Sequence, residues 1–394
     1  MRGFVYRLYP TADQEALMRQ HAGVCRLVYN LALEQRRVWG RRHRISAFDQ
    51  IKELKSLRAA FDWIAAVSQT AQSQTILDLD KAFANFFAGR AAFPTPRRRG
   101  ENDSFRFNGR EIATRRLNRR WSEIRLPKIG WVRYRDTRPL AGAVRETTVS
   151  LGPLGWQVAV LCRSEVPEPD RLPGSVGIDR GVTVPLMLST GEALHLPAAL
   201  ARLDRLHRRA QRIASRRKRG SRRHAKAMQR ARNLKARTAR IRHHWQHKTT
   251  TQLARTFGIV AVEALRTRNM TRSARGSLDA PGRNVRAKSG LNRAILNVGW
   301  FGLETKLAYK LAERGGFLVR VDPAFTSQTC SACGAVDSRG RESQASFACP
   351  CCGFRANADW NAAINIERRG NAAVLDVEGG QLRLPVKRQL SKAA

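Results

Sequence analysis

Two kinds of residue in this sequence could do metal chemistry: cysteines at close spacing and acids far apart. Cys330/Cys333 and Cys349/Cys352 are C-x2-C pairs, each followed by a glycine, Gly334 and Gly353. Each such turn presents two thiolates to one point, so two turns supply the four sulfurs of a closed, tetrahedral zinc site. The glycines relieve the tight turns and let backbone N–H groups face the sulfurs. Cys351, between Pro350 and Cys352, could compete as a ligand, but the C-x2-C register favours Cys352. Cys25 and Cys162 have no obvious mates and read as buried small hydrophobes. This usage predicts a reducing, intracellular setting.

The acids are Asp179, Glu263 and Asp359. Asp179 follows Gly177 and Ile178 in a strand-like run, Glu263 alternates with Val260 and Val262, and Asp359 opens the helical run Trp360 to Ile366. Acids flanked by apolar strand residues are costly to bury alone. Two Mg2+ ions about 3.5–4 Å apart would neutralise them and clamp a scissile phosphate, one activating water and the other stabilising the leaving 3′ oxygen. Singly, each acid could equally be a salt-bridged surface carboxylate among so many arginines; the joint placement favours a site. The Gly-Ile-Asp-x-Gly stretch also suits a kinase-like ATPase, but no second glycine-rich phosphate loop accompanies it.

The elements that would position these residues follow from periodicity. Phe4, Tyr6 and Leu8 alternate as a strand, Pro10 stops it, and Thr11-x-x-Gln14 is a capping box for a helix running to Trp39. His21 on that helix reads as core-edge packing. Further helices are predicted over Ser46 to Phe61 and Ser68 to Phe87. From Ser104 to Val166, short alternating runs predict a small antiparallel sheet or barrel, which the first strand could join. Pro167, Pro169 and Pro173 mark a linker. Three short strands follow (Val176 to Val182, Val184 to Ser189, Ala193 to Leu196), then a helical hairpin to about Thr256 and a strand, Gly258 to Ala264. After a basic loop from Thr267 to Ser289 come one helix, Asn292 to Arg314, a strand, Phe317 to Val321, the cysteine knuckle and a last helix. This is the element order of a ribonuclease H-like fold, in which the strands of Asp179 and Glu263 are neighbours and the last helix crosses their ends.

The charge points to the partner. Lys and Arg total 73 against 31 Asp and Glu, a net +42, and such self-repulsion calls for a polyanion, with nucleic acid the leading choice and a membrane surface the alternative. Between Arg202 and Lys248 there are 19 Lys/Arg and one acid, Asp204. A solvated helix ordinarily mixes signs, so this stretch reads as a phosphate-tracking surface. Its candidate contacts are Arg208, Arg209, Arg212, Arg216, Arg217, Lys218, Arg219, Arg222 and Arg223. No signal peptide is recognised, and Phe257 to Leu265, the longest apolar strand-like segment, is too short to span a bilayer.

Gly177-Ile178-Asp179-Arg180-Gly181-Val182, Val262-Glu263-Ala264-Leu265 with Asn269-Met270, and the knuckle ending in Asp359-Trp360-Asn361-Ala362-Ala363-Ile364-Asn365-Ile366 together resemble the split RuvC nuclease of the TnpB family. These are transposon-encoded RNA-guided DNA nucleases, similar to compact type V CRISPR effectors. The opening Tyr6-Arg7-Leu8-Tyr9-Pro10, Gln14, Cys25-Arg26 and Tyr29-Asn30 match as well, so the resemblance reaches from the start to about residue 370. It implies an α+β multidomain chain: a wedge-type β-barrel (1–10 and 91–170) with a helical recognition insertion (11–90), a RuvC domain (174–325 and 357–370) carrying a four-Cys zinc ribbon (326–356), and a weakly patterned tail (371–394). It implies Asp179, Glu263 and Asp359 as catalytic acids on two Mg2+, one structural Zn2+, a guide RNA, a double-stranded DNA target and a bacterial or archaeal cytoplasm, near the nucleoid. Family members often carry Asp-Arg-Asp before the Asn-Ala-Ala run; here it reads Asn357-Ala358-Asp359. The expected activity is RNA-guided, Mg2+-dependent DNA cleavage, and the alternative is a nucleic-acid-binding regulator without turnover. A strand transposase is disfavoured, because no His-x-His pair with a downstream Tyr is present.

Overall fold

The computed structural model describes residues 1–40, 45–101, 103–164, 172–277, 279–343 and 345–378. The chain divides into two units, Met1–Glu165 and Val166–Ala394. In the first, β1 (Arg2–Tyr9) leads into α1 (Ala12–Trp39), α2 (Ala47–Ala60), α3 (Asp62–Ala65) and α4 (Gln69–Phe87). Then come β2 (Ser104–Asn108), β3 (Ala113–Arg116), β4 (Trp121–Leu126), β5 (Gly130–Arg135), β6 (Ala143–Gly152) and β7 (Gly155–Arg163). The capping box forms as its spacing requires: Thr11 Oγ1 accepts from Gln14 N–H while the Gln14 side chain accepts from Thr11 N–H.

All seven strands join one sheet, ordered β2-β6-β7-β1-β5-β4-β3. β1 is its centre, pairing antiparallel with β7 over most of its length and with β5 at Leu8 and Tyr9. Its alternation buries Phe4, Tyr6 and Leu8 among Phe105, Phe107, Val132 and Val158. β3, sequence Ala-Thr-Arg-Arg and wholly exposed, has no apolar alternation and was invisible to periodicity. His21 lies in this core, its Nδ1 2.8 Å from the Leu17 carbonyl and its Nε2 accepting from Ser68 N–H. Cys25 and Cys162 are buried free thiols, as expected.

The second unit begins with β8 (Ser175–Asp179), β9 (Leu186–Leu188) and β10 (Ala193–Leu194), then α5 (Ala199–Ser215) and α6 (Arg222–Thr256). It continues through β11 (Ile259–Glu263), α7 (Thr267–Met270), α8 (Val285–Val298), α9 (Trp300–Ala312) and β12 (Phe317–Val321). The hairpin β13 (Ser346–Ala348) and β14 (Arg355–Asn357) precedes α10 (Ala358–Glu378). The sheet order is β10-β9-β8-β11-β12, with β8, β11 and β12 parallel and the two short strands antiparallel. Alternation divides its faces. Val176, Ile178, Val260 and Val262 pack against Leu303, Leu307 and Leu311 of α9, whereas Ala261 and Val321 pack against Ile366 of α10.

Several boundaries differ from expectation. β8 stops at Asp179 because Gly181 enters a turn so tight that a Cβ there would lie 2.5 Å from the Val184 carbonyl. The strand predicted from Val184 to Ser189 shortens accordingly to Leu186–Leu188. The helix predicted from Asn292 to Arg314 is two helices, parted at Gly299, whose φ of +71° is left-handed. Side chains of α6 stabilise that break: Gln246 donates to the carbonyls of Val298 and Gly299, and Arg242 to that of Leu296. The basic loop is shorter than predicted, since α7 opens it and α8 starts at Val285. α10 continues through residue 378, so the first part of the expected tail is helical; 379–394 lie outside the described residues, as do Pro167 and Pro169 of the linker. Among the described residues no helix is long and apolar enough to cross a membrane.

Candidate active site and metal centre

The three acids meet at the carboxyl ends of β8 and β11, the usual place for a site in an open α/β sheet. Val262 pairs with Ile178, so the next residues, Glu263 and Asp179, stand side by side on the same face. That face is the one α10 covers, and Asp359 lies in the first turn of α10. α10 can lie this low because β8 offers Gly177: a Cβ there would sit 2.1 Å from the Ala363 carbonyl and 2.4 Å from Glu367 N. Asn357 fixes the start of α10, its Oδ1 accepting from the N–H groups of Asp359 and Trp360. Trp360 Nε1 then donates to the Ser189 carbonyl beside β9.

Asp179 senses the other two acids. Burial, then the charges of Glu263 and Asp359, push the Asp179 carboxyl up to about 7. Burial also raises Asp359, against the pull of Arg341, whose guanidinium lies 3.6 Å from its Oδ1. Glu263 accepts a 2.6 Å hydrogen bond from Thr326 Oγ1. Beneath them Arg180, its side chain 1% exposed, donates to the Glu263 backbone carbonyl and pairs with Glu304 of α9 at 2.9 Å. Glu304 also takes Arg320. The cluster is looser than a closed metal cage: among the described residues, only the cysteine group brings three or more candidate ligand atoms within 4.8 Å of one another. Three neighbouring carboxyls nonetheless suit hard divalent cations, which take oxygen ligands and keep several waters.

The cysteines do form a closed site. The sulfurs of Cys330, Cys333, Cys349 and Cys352 all lie within 4.8 Å of one another, while Cys351 is exposed and outside the group. Cys330 and Cys352 sulfurs are 3.7 Å apart and those of Cys333 and Cys349 3.6 Å; a tetrahedral zinc with bonds of about 2.3 Å spaces its sulfurs by about 3.8 Å. Gly334 (φ +76°) and Gly353 (φ +71°) close the two turns, each donating its N–H to the carbonyl of the first cysteine of its pair. Backbone N–H groups of Cys352 and Cys351 pull the Cys349 thiol down, whereas Cys333 and Cys352 shift up, so the four crowded thiols titrate as one group.

The nine basic residues proposed from sequence lie on α5, on α6 and on the turn between them, all exposed. Arg208 pairs with Asp204, and Arg208 and Arg212 line a cleft of about 1090 Å³ with Arg275, Arg286 and Arg293 opposite. Sequence reasoning did not single out Arg180, Thr326 or Arg341. Thr326 and Arg341 come from other segments than the acids they touch, and Arg180, though next to Asp179, reaches Glu263 and Glu304 only through the fold.

Three family descriptions match the chain: "Helix-turn-helix domain" over residues 1–44, "Probable transposase" over 159–274 and "Cas12f1-like, TNB domain" over 300–366. Where the first applies, this chain has a strand and one long helix. "Putative RNA-guided DNA endonuclease InsQ" of Escherichia coli (strain K12) is 37% identical over 99% of this chain and 97% of its own length. A "Putative RNA-guided DNA endonuclease" of Streptomyces pristinaespiralis is 32% identical over 94% of this chain and 90% of its own. The protein in "Cryo-EM structure of the Cas12f1-sgRNA-target DNA complex" shares the fold with a TM-score of 0.57 at 15% identity, over 90% of this chain and 82% of that one. With relatives matching along nearly its whole length, this chain belongs to the TnpB family.

Proposed function

We propose that this chain is an RNA-guided DNA endonuclease whose cleavage site is Asp179, Glu263 and Asp359. The observation that carries the reading is the convergence of these acids, from β8, β11 and α10, at one end of the sheet, with the Asp179 carboxyl raised to about 7 by burial and by its acidic neighbours. Such a group is held for a partner of opposite charge. The full-length relatives named RNA-guided DNA endonucleases support the same activity.

In this reading Asp179, Glu263 and Asp359 are the residues that would hold two Mg2+. When bound, the pair supplies a nucleophile from water and stabilisation of the departing 3′ oxygen. The protein's own part is placement. Parallel pairing sets Asp179 beside Glu263, Arg180 fixes the backbone at Glu263, and the Asn357 cap orients Asp359. The four-cysteine knuckle, residues 326–356, would hold one structural Zn2+ at the root of α10. A guide RNA would read the target by base pairing, leaving the protein to grip backbones and a short flanking motif. The exposed arginines of α5 and α6 suit that grip. The wedge-type barrel (1–10 and 91–170), the recognition helices (11–90) and the RuvC domain (174–325 and 357–370) are proposed as the parts that divide this work.

The test is single substitution. Asp179→Ala, Glu263→Ala and Asp359→Ala should each lower Mg2+-dependent cleavage by about 10²–10³-fold or more, comparable to removing a transition-state stabiliser, while RNA binding stays within about threefold. The protein purified through high-salt washes should retain one discrete RNA, and changing its variable end should redirect cleavage. Full cleavage in any acid variant would remove that residue from the site. Cleavage that ignores the RNA would leave an unguided nuclease.

A further inference from the structure

Between Val321 and Cys330 the chain runs through an irregular segment whose carbonyls are taken up by one face of α10. Arg369 donates to the carbonyls of Asp322 and Ala324, at 3.0 and 2.6 Å. Asn365 Nδ2 donates to those of Thr326 and Thr329, at 3.1 and 2.7 Å, and Asn361 Nδ2 to that of Thr329 at 2.8 Å. Asn361 Oδ1 accepts from Ser331 N–H at 2.8 Å, next to Cys330, and Arg368 donates to the Ser331 carbonyl. Positions 361, 365 and 368 recur at helical spacing, so they share a face. Both asparagines are buried, at 0% and 4% exposure, and a buried amide that spends its capacity on one backbone segment holds that segment in place.

Within the segment Phe325 has a φ of +60° and is 60% exposed. A non-glycine residue in the left-handed region costs about 1 kcal/mol or more, and this one sits immediately before Thr326. Thr326 is 2% exposed, with Oγ1 2.6 Å from Glu263 Oε1 and 3.0 Å from the Pro323 carbonyl. A hydroxyl has one proton to give, and the nearer partner, a carboxylate, is the stronger acceptor.

We propose that Thr326 is a positioning residue for Glu263, and that the asparagine strap from α10 couples ordering of the cysteine knuckle to the placement of that carboxylate. The connection is continuous: the four-sulfur group includes Cys330, Ser331 and Thr329 are fixed by Asn361, Thr326 is fixed by Asn365, and its hydroxyl meets Glu263. The inference rests on Glu263 being one of the catalytic acids.

The full-length chain, freed of nucleic acid, is titrated with Mn2+ by calorimetry; zinc content and Tm are measured beside it, and cleavage is measured on the RNA-loaded protein. Thr326→Val removes the hydroxyl and keeps the branched shape; Thr326→Ser keeps the hydroxyl. Thr326→Val should weaken Mn2+ binding and slow cleavage by about tenfold or more, the scale of a missing hydrogen bond to a charged group. Thr326→Ser should stay within about threefold, and both should retain about one Zn2+ per chain. Cys330→Ser should lose zinc and weaken Mn2+ binding in the same direction. Wild-type Mn2+ affinity in Thr326→Val, an equal fall in Thr326→Ser, or zinc loss in Thr326→Val would each overturn the proposal. Glu263→Ala separates the two readings: if it cuts normally the site assignment fails, whereas an inactive Glu263→Ala beside a normal Thr326→Val removes only the role of Thr326.

Discussion

Asp179 ends a buried strand beside two other acids, and burial, reinforced by their charges, lifts its carboxyl from 3.8 to about 7. Linkage then sets the sign of a stability effect. Between about pH 4 and 7 the folded chain keeps a proton that the unfolded chain has released, so stability falls as pH rises through that window and levels off above it. A salt-bridged carboxylate behaves in the opposite way. With Mg2+ omitted, Tm of the second unit should therefore drop by several degrees from pH 5 to 8, given that about 1 kcal/mol moves a unit of this size by about 2–4 °C. Asp179→Asn should flatten the slope, and millimolar Mg2+ should restore Tm at pH 8; a wild-type slope in Asp179→Asn would refute the assignment. At this scale the sequence was legible where chemistry is local. Four cysteines declare a closed sulfur cluster through spacing alone, and the glycines after each pair take the left-handed turns that spacing needs. Thr326 and Arg341 declared nothing, because their partners, Glu263 and Asp359, lie in segments that meet them only after folding.

Among the elements, α10 does the most. It starts with Asp359, straps the segment before Cys330 and lies flat across β8 and β11. Two glycines permit that approach: Gly177 faces the α10 backbone, and a Cβ at Gly370 would come within 2.4 Å of the Ala261 side chain. Gly177→Ala should force α10 outward, costing about 1–3 kcal/mol as overpacking does and cutting cleavage more than tenfold through displacement of Asp359. Tm and cleavage at wild-type values would mean that helix and strand are not so close. The order of strands and helices was readable because alternation and helical spacing alternate cleanly through 175–321. The break at Gly299 was not: a glycine inside an apolar helical pattern looks tolerated, and what stabilises the break there, Gln246 and Arg242, sits about fifty residues earlier on α6.

For the whole molecule, charge is the governing property. A net +42 makes binding to any polyanion unremarkable at low salt, so the informative quantity is the salt slope. Replacing Arg216, Arg217, Lys218 and Arg219 together with alanine should lower the slope of log K against log salt by about 0.7–0.9 for each phosphate that the turn no longer neutralises. An unchanged slope would show that the exposed turn between α5 and α6 does not touch the RNA. The charge balance foretold this surface, but it does not say which arginines face one cleft; Arg275, Arg286 and Arg293 join Arg208 and Arg212 only through the fold.

The distance in sequence between the acids also orders events in time. Asp179 lies in the first strand of the second unit and Asp359 follows it by 180 residues. A ribosome adding about 5–20 residues per second needs about 9–36 s to bridge that gap. For the last 96 residues of it, from Glu263 to Asp359, the nascent chain already contains the basic helices α5 and α6 but carries only two of the three acids. On the proposed assignment the basic surface is thus synthesised before the cleavage site is complete, and the order of translation itself delays cutting until the last acid is made.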